Sequence, residues 1–160
     1  MIKVKDCIKE DIIKVRRGTP LKEIIKIFNE NKCTILPVVD EDNKLVGKIT
    51  LDEITSVFQP QSAELNQLLK TIPFLDTVPE ADIDIDYLFP EMGILVIADE
   101  IMSNQYFTVK QDDTIAKAYS IMKVNDTQVV MVVKDDNDFV GIIGMFDIIY
   151  AMFKEKGVIK

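Results

Sequence analysis

Two strand-to-helix junctions hold the residues best suited to chemistry. Gly47-Lys48-Ile49-Thr50 runs into Leu51-Asp52-Glu53, and Gly141-Ile142-Ile143-Gly144 runs into Met145-Phe146-Asp147. Each puts carboxylates where a helix begins, and the first adds a hydroxyl. The plainest reading is that Thr50 and Asp147 cap their helices, as Thr and Asp commonly do. Nucleophilic catalysis has little to work with. The chain has no histidine, which removes Ser-His-Asp and Cys-His arrangements and the commonest metal ligand. Cys7 and Cys33 make neither a disulfide framework nor a zinc signature, and Cys33, in an apolar stretch, reads as a small hydrophobe. Asp82, Asp84 and Asp86 alternate with Ile83 and Ile85, yet the glycine and distal glutamate of a calcium loop are missing. That stretch reads as a strand or loop with one wet side. With no paired nucleophile and base and no glycine-rich phosphate loop, no enzyme activity is expected.

The junctions are copies of one another. Gly47 and Gly141 fix an offset of 94 residues (141 − 47). At that offset Val15 matches Val109, Ile27 matches Ile121, Asn31 matches Asn125, Val38 and Val39 match Val132 and Val133, Asn43 matches Asn137 and Ile54 matches Ile148. Register held from first strand to last helix is a two-fold internal repeat.

Each copy reads β-α-β-β-α. In the first, residues 4–8 are a lead-in, and Ile12-Ile13-Lys14-Val15 is β-branched and predicts a strand. Thr19 as N-cap and Pro20 at the first turn predict a helix start. Leu21, Ile24, Ile25 and Phe28 give it one apolar stripe. Residues 35–39 predict a strand covered on both faces, with Pro37 suggesting an edge position or a strand end. Residues 40–44 form a turn, 45–49 a return strand and 51–58 a second helix with Ile54, Val57 and Phe58 inward. In the second copy Phe107-Thr108-Val109 is the first strand, Asp113 the N-cap, and Ile115, Ala118, Tyr119 and Met122 the stripe. Between the copies Ser62 could cap a helix carrying Leu65, Leu68 and Leu69. Leu88, Phe89, Ile94, Leu95, Val96 and Ile97 are too apolar for a loose tether and predict packing. The expected division is 1–58, an insert over 59–97, and 98–160.

Composition bounds the function. The 160 residues are 48% hydrophobic and 29% charged, a globular balance. A net charge of −8 disfavours a nucleic-acid partner, which needs a basic face. Lys14, Arg16 and Arg17, the main basic cluster, read as a solvated loop. No apolar run approaches a membrane span. Residues 1–6 lack the apolar core of a signal peptide, so a cytoplasmic location is expected.

On Ile35-Leu36-Pro37-Val38-Val39-Asp40, Gly47-Lys48-Ile49-Thr50, Asp99-Glu100-Ile101-Met102, Phe107-Thr108-Val109 and Gly141-Ile142-Ile143, the chain resembles a tandem pair of cystathionine-β-synthase-type (CBS) domains, the Bateman module. The resemblance covers about 4–58 and 98–152. It implies an α/β fold in which two β-α-β-β-α repeats pack sheet to sheet about a pseudo-two-fold axis. It also implies two clefts for adenosine ligands: AMP, ADP, ATP or S-adenosylmethionine. The family motif is glycine, two apolar residues, Thr or Ser, two variable residues, then Asp, with the hydroxyl on phosphate and the carboxylate on ribose. A helix N-terminus favours an anion, and a carboxylate can accept both hydroxyls of a vicinal diol.

Both copies depart from that motif. The first keeps Thr50 but has Glu53 at the acid position. The second keeps Asp147 but has Gly144 in place of the hydroxyl. By resemblance, one cleft combines Asp147 and Gly144 with Ile8, Ile13, Cys33 and Thr34. The other combines Thr50 and Glu53 with Met102, Phe107, Thr127 and Gln128. The Asp147 cleft keeps its ribose acid, Thr34 offers a hydroxyl, and the weaker phosphate grip favours adenosine, S-adenosylmethionine or AMP over ATP. The implied protein is a regulatory sensor acting through an effector protein or its own oligomer. The alternative is a dimerisation or interaction module with degenerate pockets. In the resembling family the second helices form a homodimer, and here Ile148, Ile149, Met152 and Phe153 are apolar.

Overall fold

The computed structural model describes residues 1–8, 12–58, 71 and 85–160. In chain order the elements are β1 (Val15–Arg16), α1 (Leu21–Asn31), β2 (Ile35–Val39), β3 (Leu45–Thr50), α2 (Leu51–Thr55), α3 (Met92–Leu95), α4 (Ala98–Ile101), β4 (Thr108–Lys110), α5 (Ile115–Val124), β5 (Val129–Lys134), β6 (Asp138–Gly144) and α6 (Met145–Glu155). The architecture is α/β, with two three-stranded sheets ordered β1-β2-β3 and β4-β5-β6. β1 runs parallel to β2 and β4 parallel to β5, while β5 and β6 form an antiparallel hairpin. The anticipated β-α-β-β-α order is present twice. Ser62, Leu65, Leu68, Leu69, Asp82 and Asp84 lie outside the described residues.

The chain divides into two compact units. One comprises Met1–Arg17, Leu36–Lys48 and Ser103–Lys160, the other Gly18–Ile35 and Ile49–Met102. The units do not follow the repeats, and hydrogen bonds at the lead-ins show why. In the first unit the Val4 N–H donates to Asp113 O at 2.9 Å, and the Ile115 N–H donates to Ile2 O at 3.3 Å. In the second the Ala98 N–H donates to Thr19 O at 2.9 Å, and the Leu21 N–H donates to Val96 O at 2.8 Å. These bonds are equivalent under the 94-residue offset. Each copy therefore lends its lead-in to the other copy's helix start. Val4 and Ala98, the matching lead-in residues, are both fully buried. Burying a valine side chain is worth about 1.5–3 kcal/mol. Val4 joins Val109, Ala118, Met122, Val130, Val132, Ile143 and Ile148 in one core.

A second reciprocal contact lies within the first unit. The Asn43 side-chain N–H donates to Phe139 O at 2.9 Å and to Asp138 Oδ1 at 3.1 Å, and Asn43 Oδ1 accepts from Lys14. The Asn137 side chain donates to Leu45 O at 2.6 Å. Asn43 corresponds to Asn137 and Leu45 to Phe139, so the contact is its own mirror, with the Lys44↔Asp138 bridge between its halves. Both asparagines hold positive φ, 63° and 60°, a region Asn tolerates better than most residues.

Several expectations shift. Residues 12–14 are not strand, and Pro37 sits in the central strand of its sheet rather than at an edge. The second repeat supplies the reason. There the matching residue, Met131, donates its N–H to Phe107 O at 3.1 Å. Proline has no N–H to give, so β1 pairs only at Val15↔Val38 and Arg16↔Val39. The N-caps are Pro20 and Thr114, one residue beyond Thr19 and Asp113. Asp113 instead accepts from the Lys110 N–H and the Lys117 ammonium, each at 2.9 Å. Ile25 and Tyr119, a matched pair, are each 44% exposed, so the buried stripes run Leu21–Ile24 and Ala118–Met122. Leu88, Phe89, Ile94 and Leu95 are also exposed. The one-turn α3 sets Gly93 against α1, where a Cβ on it would stand 3.2 Å from Lys22 Cβ, and leaves Ile94 and Leu95 exposed.

Replacing Asn43 with Ala removes two donated hydrogen bonds and leaves a Cβ-bearing residue at positive φ. The expected loss is about 2–3 kcal/mol in denaturant unfolding, with Asn43→Gly recovering about 1 kcal/mol of it. The Asn43 hydrogen bond is the main cause holding the Asp138 carboxyl below its usual value, with Lys44 and Lys134 assisting against partial burial. A depressed carboxyl stabilises above its unfolded value, about 3.9, and that contribution fades as pH falls through the folded one. The gap between wild type and Asn43→Ala should therefore narrow below about pH 4.

Candidate functional site

The two helix starts differ in how their acids are used. At α2 the Thr50 N–H donates to Glu53 Oε2 at 2.6 Å, and the Thr50 hydroxyl donates to the same oxygen. The extra methylene of glutamate reaches both groups, so hydroxyl and acid satisfy each other. At α6 the Gly144 N–H donates to Asp147 Oδ2 at 2.8 Å. The shorter acid has no hydroxyl to meet. A Cβ on Gly144 would lie 3.3 Å from Asp147 Oδ2 and 3.7 Å from Gln128 O, so glycine keeps this corner open. The Met145 N–H donates to Gln128 O at 2.8 Å, which pins the start of α6 to the residue leading into β5.

Asp147 lines a cleft of about 650 Å³ within the first unit, a volume suited to a small ligand. One wall is the lead-in, with Ile2, Asp6, Cys7 and Ile8; the other is α6, with Asp147, Tyr150, Ala151, Lys154 and Glu155. The lead-in is held in place by its backbone bonds, by the buried Val4, and by the Lys5–Asp112 ion pair at 2.8 Å. It packs close to the sheet. A Cβ on Gly141 would meet Ile12 Cδ1 at 2.4 Å and Ile8 Cβ at 3.7 Å, so a side chain at this strand position would have to push the Ile12 terminal methyl aside. Partial burial, then the charges of Asp6 and Asp147, push the Cys7 thiol above its usual value. Partial burial likewise raises Cys33. Both sulfurs are therefore neutral thiols at neutral pH and poor nucleophiles.

Of the residues singled out from the sequence, the structure brings Asp147 and Ile8 into this cleft and sets Gly144 and the Gln128 carbonyl beside it. Thr127 turns its hydroxyl back on the Val129 main chain. Phe107 is 43% exposed and Ile13 37% exposed. Thr50 and Glu53 stand together at α2, in the unit that also holds Cys33, Thr34 and Met102. Cys33 and Met102 are half-buried and Thr34 is exposed. Sequence reasoning missed the rest of the α6 wall. Tyr150, Ala151 and Lys154 lie three, four and seven residues after Asp147, on its helical face, and that spacing was the available signal. Among the described residues no group of three His, Cys, Asp or Glu side chains could hold a metal ion, and no helix is long and apolar enough to cross a membrane.

Comparison with known proteins gives a consistent result. The CBS domain family matches residues 4–59 and 97–154. The uncharacterized protein MJ1426 of Methanocaldococcus jannaschii is 27% identical over 152 residues, covering 93% of this chain and 90% of that protein. The homoserine O-acetyltransferase of Methanohalobium evestigatum is 25% identical over 145 residues, but this chain spans only 23% of it. Among solved structures, CBSX2 in complex with AMP superposes with a TM-score of 0.69 at 17% identity, covering 98% of this chain and 99% of that one. The CBS domain pair of MJ0100 in complex with 5′-methylthioadenosine and S-adenosyl-L-methionine gives 0.63 at 24% identity, with 98% of each chain covered. At these identities the likeness is one of fold.

The raised Cys7 value has a direct consequence. Alkylation of Cys7 by iodoacetamide at pH 8, followed by peptide mapping, should run slower than for a free cysteine. Asp147→Asn removes one source of the shift and should speed it. An unchanged rate would separate the thiol from that carboxylate.

Proposed function

Since this chain belongs to the CBS domain family, we propose that it is a regulatory ligand-sensing module. It binds an adenosine-containing small molecule in the Asp147 cleft and signals through a change of conformation or oligomer state. The observation that carries this reading is the placement of Asp147 on the wall of a ligand-sized cleft. One of its oxygens holds the Gly144 N–H, and a carboxylate has lone pairs to spare for a ribose diol. AMP and S-adenosylmethionine are the favoured ligands over ADP and ATP. Gly144 offers a phosphate no hydroxyl, and Asp6, Asp147 and Glu155 outnumber Lys154 among the charged side chains of the lining. The AMP held by CBSX2 and the adenosyl ligands held by MJ0100 are in keeping with that class. At α2 the Thr50–Glu53 pair is closed on itself, so the second cleft is the weaker candidate. No catalytic step is assigned.

The test is a thermal-shift series with AMP, ADP, ATP, adenosine and S-adenosylmethionine. A ligand at about a hundred times its Kd should stabilise by about 2.7 kcal/mol, a rise of about 5–10 °C. The shift should vanish in Asp147→Ala. Unchanged affinity in that variant would remove Asp147 from the site.

A second reading, a dimerisation or interaction module without a ligand, rests on α6. Phe146 is 73% exposed, and Ile149, Met152 and Phe153 are between 42% and 50% exposed. Apolar patches of this kind mark interaction surfaces, and a homodimer through α6 is compatible with either reading. Light scattering should give a dimer mass for the native chain and a monomer mass for Phe146→Asp/Phe153→Asp. A monomeric native chain would refute it.

A further inference from the structure

We infer that the N-terminal lead-in is a ligand-linked strap: a ligand in the Asp147 cleft locks residues 2–8 onto the second repeat, and Val4 sets the affinity without touching the ligand. This inference rests on the reading of the cleft as an adenosine site and adds how that site is regulated. The two walls of the cleft have different standing. The α6 wall is one helix, and Ile148 on its inner side is buried in the core. The other wall is a short segment crossing from the far end of the sequence. Cys7 and Ile8 pack against the rim of the core that buries Val4. The fastenings outside the cleft, among the described residues, are the Val4 N–H on Asp113 O and the Lys5 N–H on Gln111 O, both at 2.9 Å, the Ile115 N–H on Ile2 O at 3.3 Å, the buried Val4 side chain, and the Lys5–Asp112 pair. None of these fastening side chains lines the cleft, while Asp6, Cys7 and Ile8 immediately after them do.

A ligand spanning both walls touches the strap only when it is docked. It therefore binds the docked arrangement better, which is the condition for shifting the population toward it. The apparent affinity falls in proportion to the docked fraction. Val4 is thus a positioning residue. Its packing, and the exposed ion pair beside it, tune the response from outside the ligand's reach.

The experiment is calorimetric titration of the full chain and its variants with AMP and, separately, with S-adenosylmethionine. Val4→Ala should weaken binding about tenfold by lowering the docked fraction. Val130→Ala, a truncation in the same core but outside the cleft, serves as the control and should bind as wild type does. Lys5→Glu sets a carboxylate against Asp112 on the surface, where it does not threaten the fold, and should weaken binding about threefold. Lys5→Glu/Asp112→Lys should restore it. In the wild type, bound ligand should slow tryptic cleavage after Lys3 and Lys5. Wild-type affinity in both Val4→Ala and Lys5→Glu would overturn the strap while leaving the adenosine site standing. Equal weakening by Val130→Ala, or no rescue by the charge swap, would reduce Val4 and Lys5 to ordinary structural residues and also overturn it. No binding of either ligand to the wild type would instead bring down the reading of the cleft, and the strap with it.

Discussion

The structure depends on an exchange between its two copies. Each repeat's lead-in leaves its own helix and hydrogen-bonds to the start of the other repeat's first helix. Val4 reaches Asp113 and Ala98 reaches Thr19. Because both lead-in residues are fully buried, the exchange is part of the core and not a surface ornament. It makes each repeat incomplete without the other. The Asn43 and Asn137 contacts impose the same condition at the hairpin turns, where each asparagine satisfies a main-chain carbonyl of the other copy. Both sets of bonds repeat under the same 94-residue offset.

The same exchange builds the cleft. A helix of the second repeat alone would present Asp147 to open water. The borrowed lead-in supplies the facing wall and, with it, the apolar and acidic groups that give the cleft its character. The two helix starts then diverge through one methylene and one hydroxyl. Glu53 is long enough to hold both the N–H and the hydroxyl of Thr50, and its start is closed. Asp147 meets a glycine, holds one N–H, and remains on the cleft wall. Two copies of one motif thereby use their acids differently.

What was legible in the sequence was local or periodic. The glycine offset revealed the repeat, and apolar runs and turn residues placed the strands of both hairpins. The inner side of each first helix followed from its apolar stripe, though Ile25 and Tyr119 proved to sit at its rim. The edge reading of Pro37 failed because a missing N–H can be accommodated in a central strand when its neighbour is short. The cleft was half legible. Asp147 stood out by type and position and Ile8 by resemblance, but Ile2, Asp6 and Cys7 of the facing wall did not, because Val4 and Asp113 are distant in sequence and no local pattern announces their bond. Tyr150, Ala151 and Lys154 needed only the helical period of α6.

On the reading proposed above, an adenosine ligand sits between the lead-in and α6. That reading is tested most directly by two-dimensional ¹⁵N–¹H spectra of the native chain during titration with AMP. Binding there should give saturable shifts at the amides of Cys7, Ile8, Gly144 and Asp147, with Thr50 and Glu53 unmoved. Shifts concentrated at Thr50 and Glu53 with Gly144 unmoved, or no saturable shift at any amide, would contradict it.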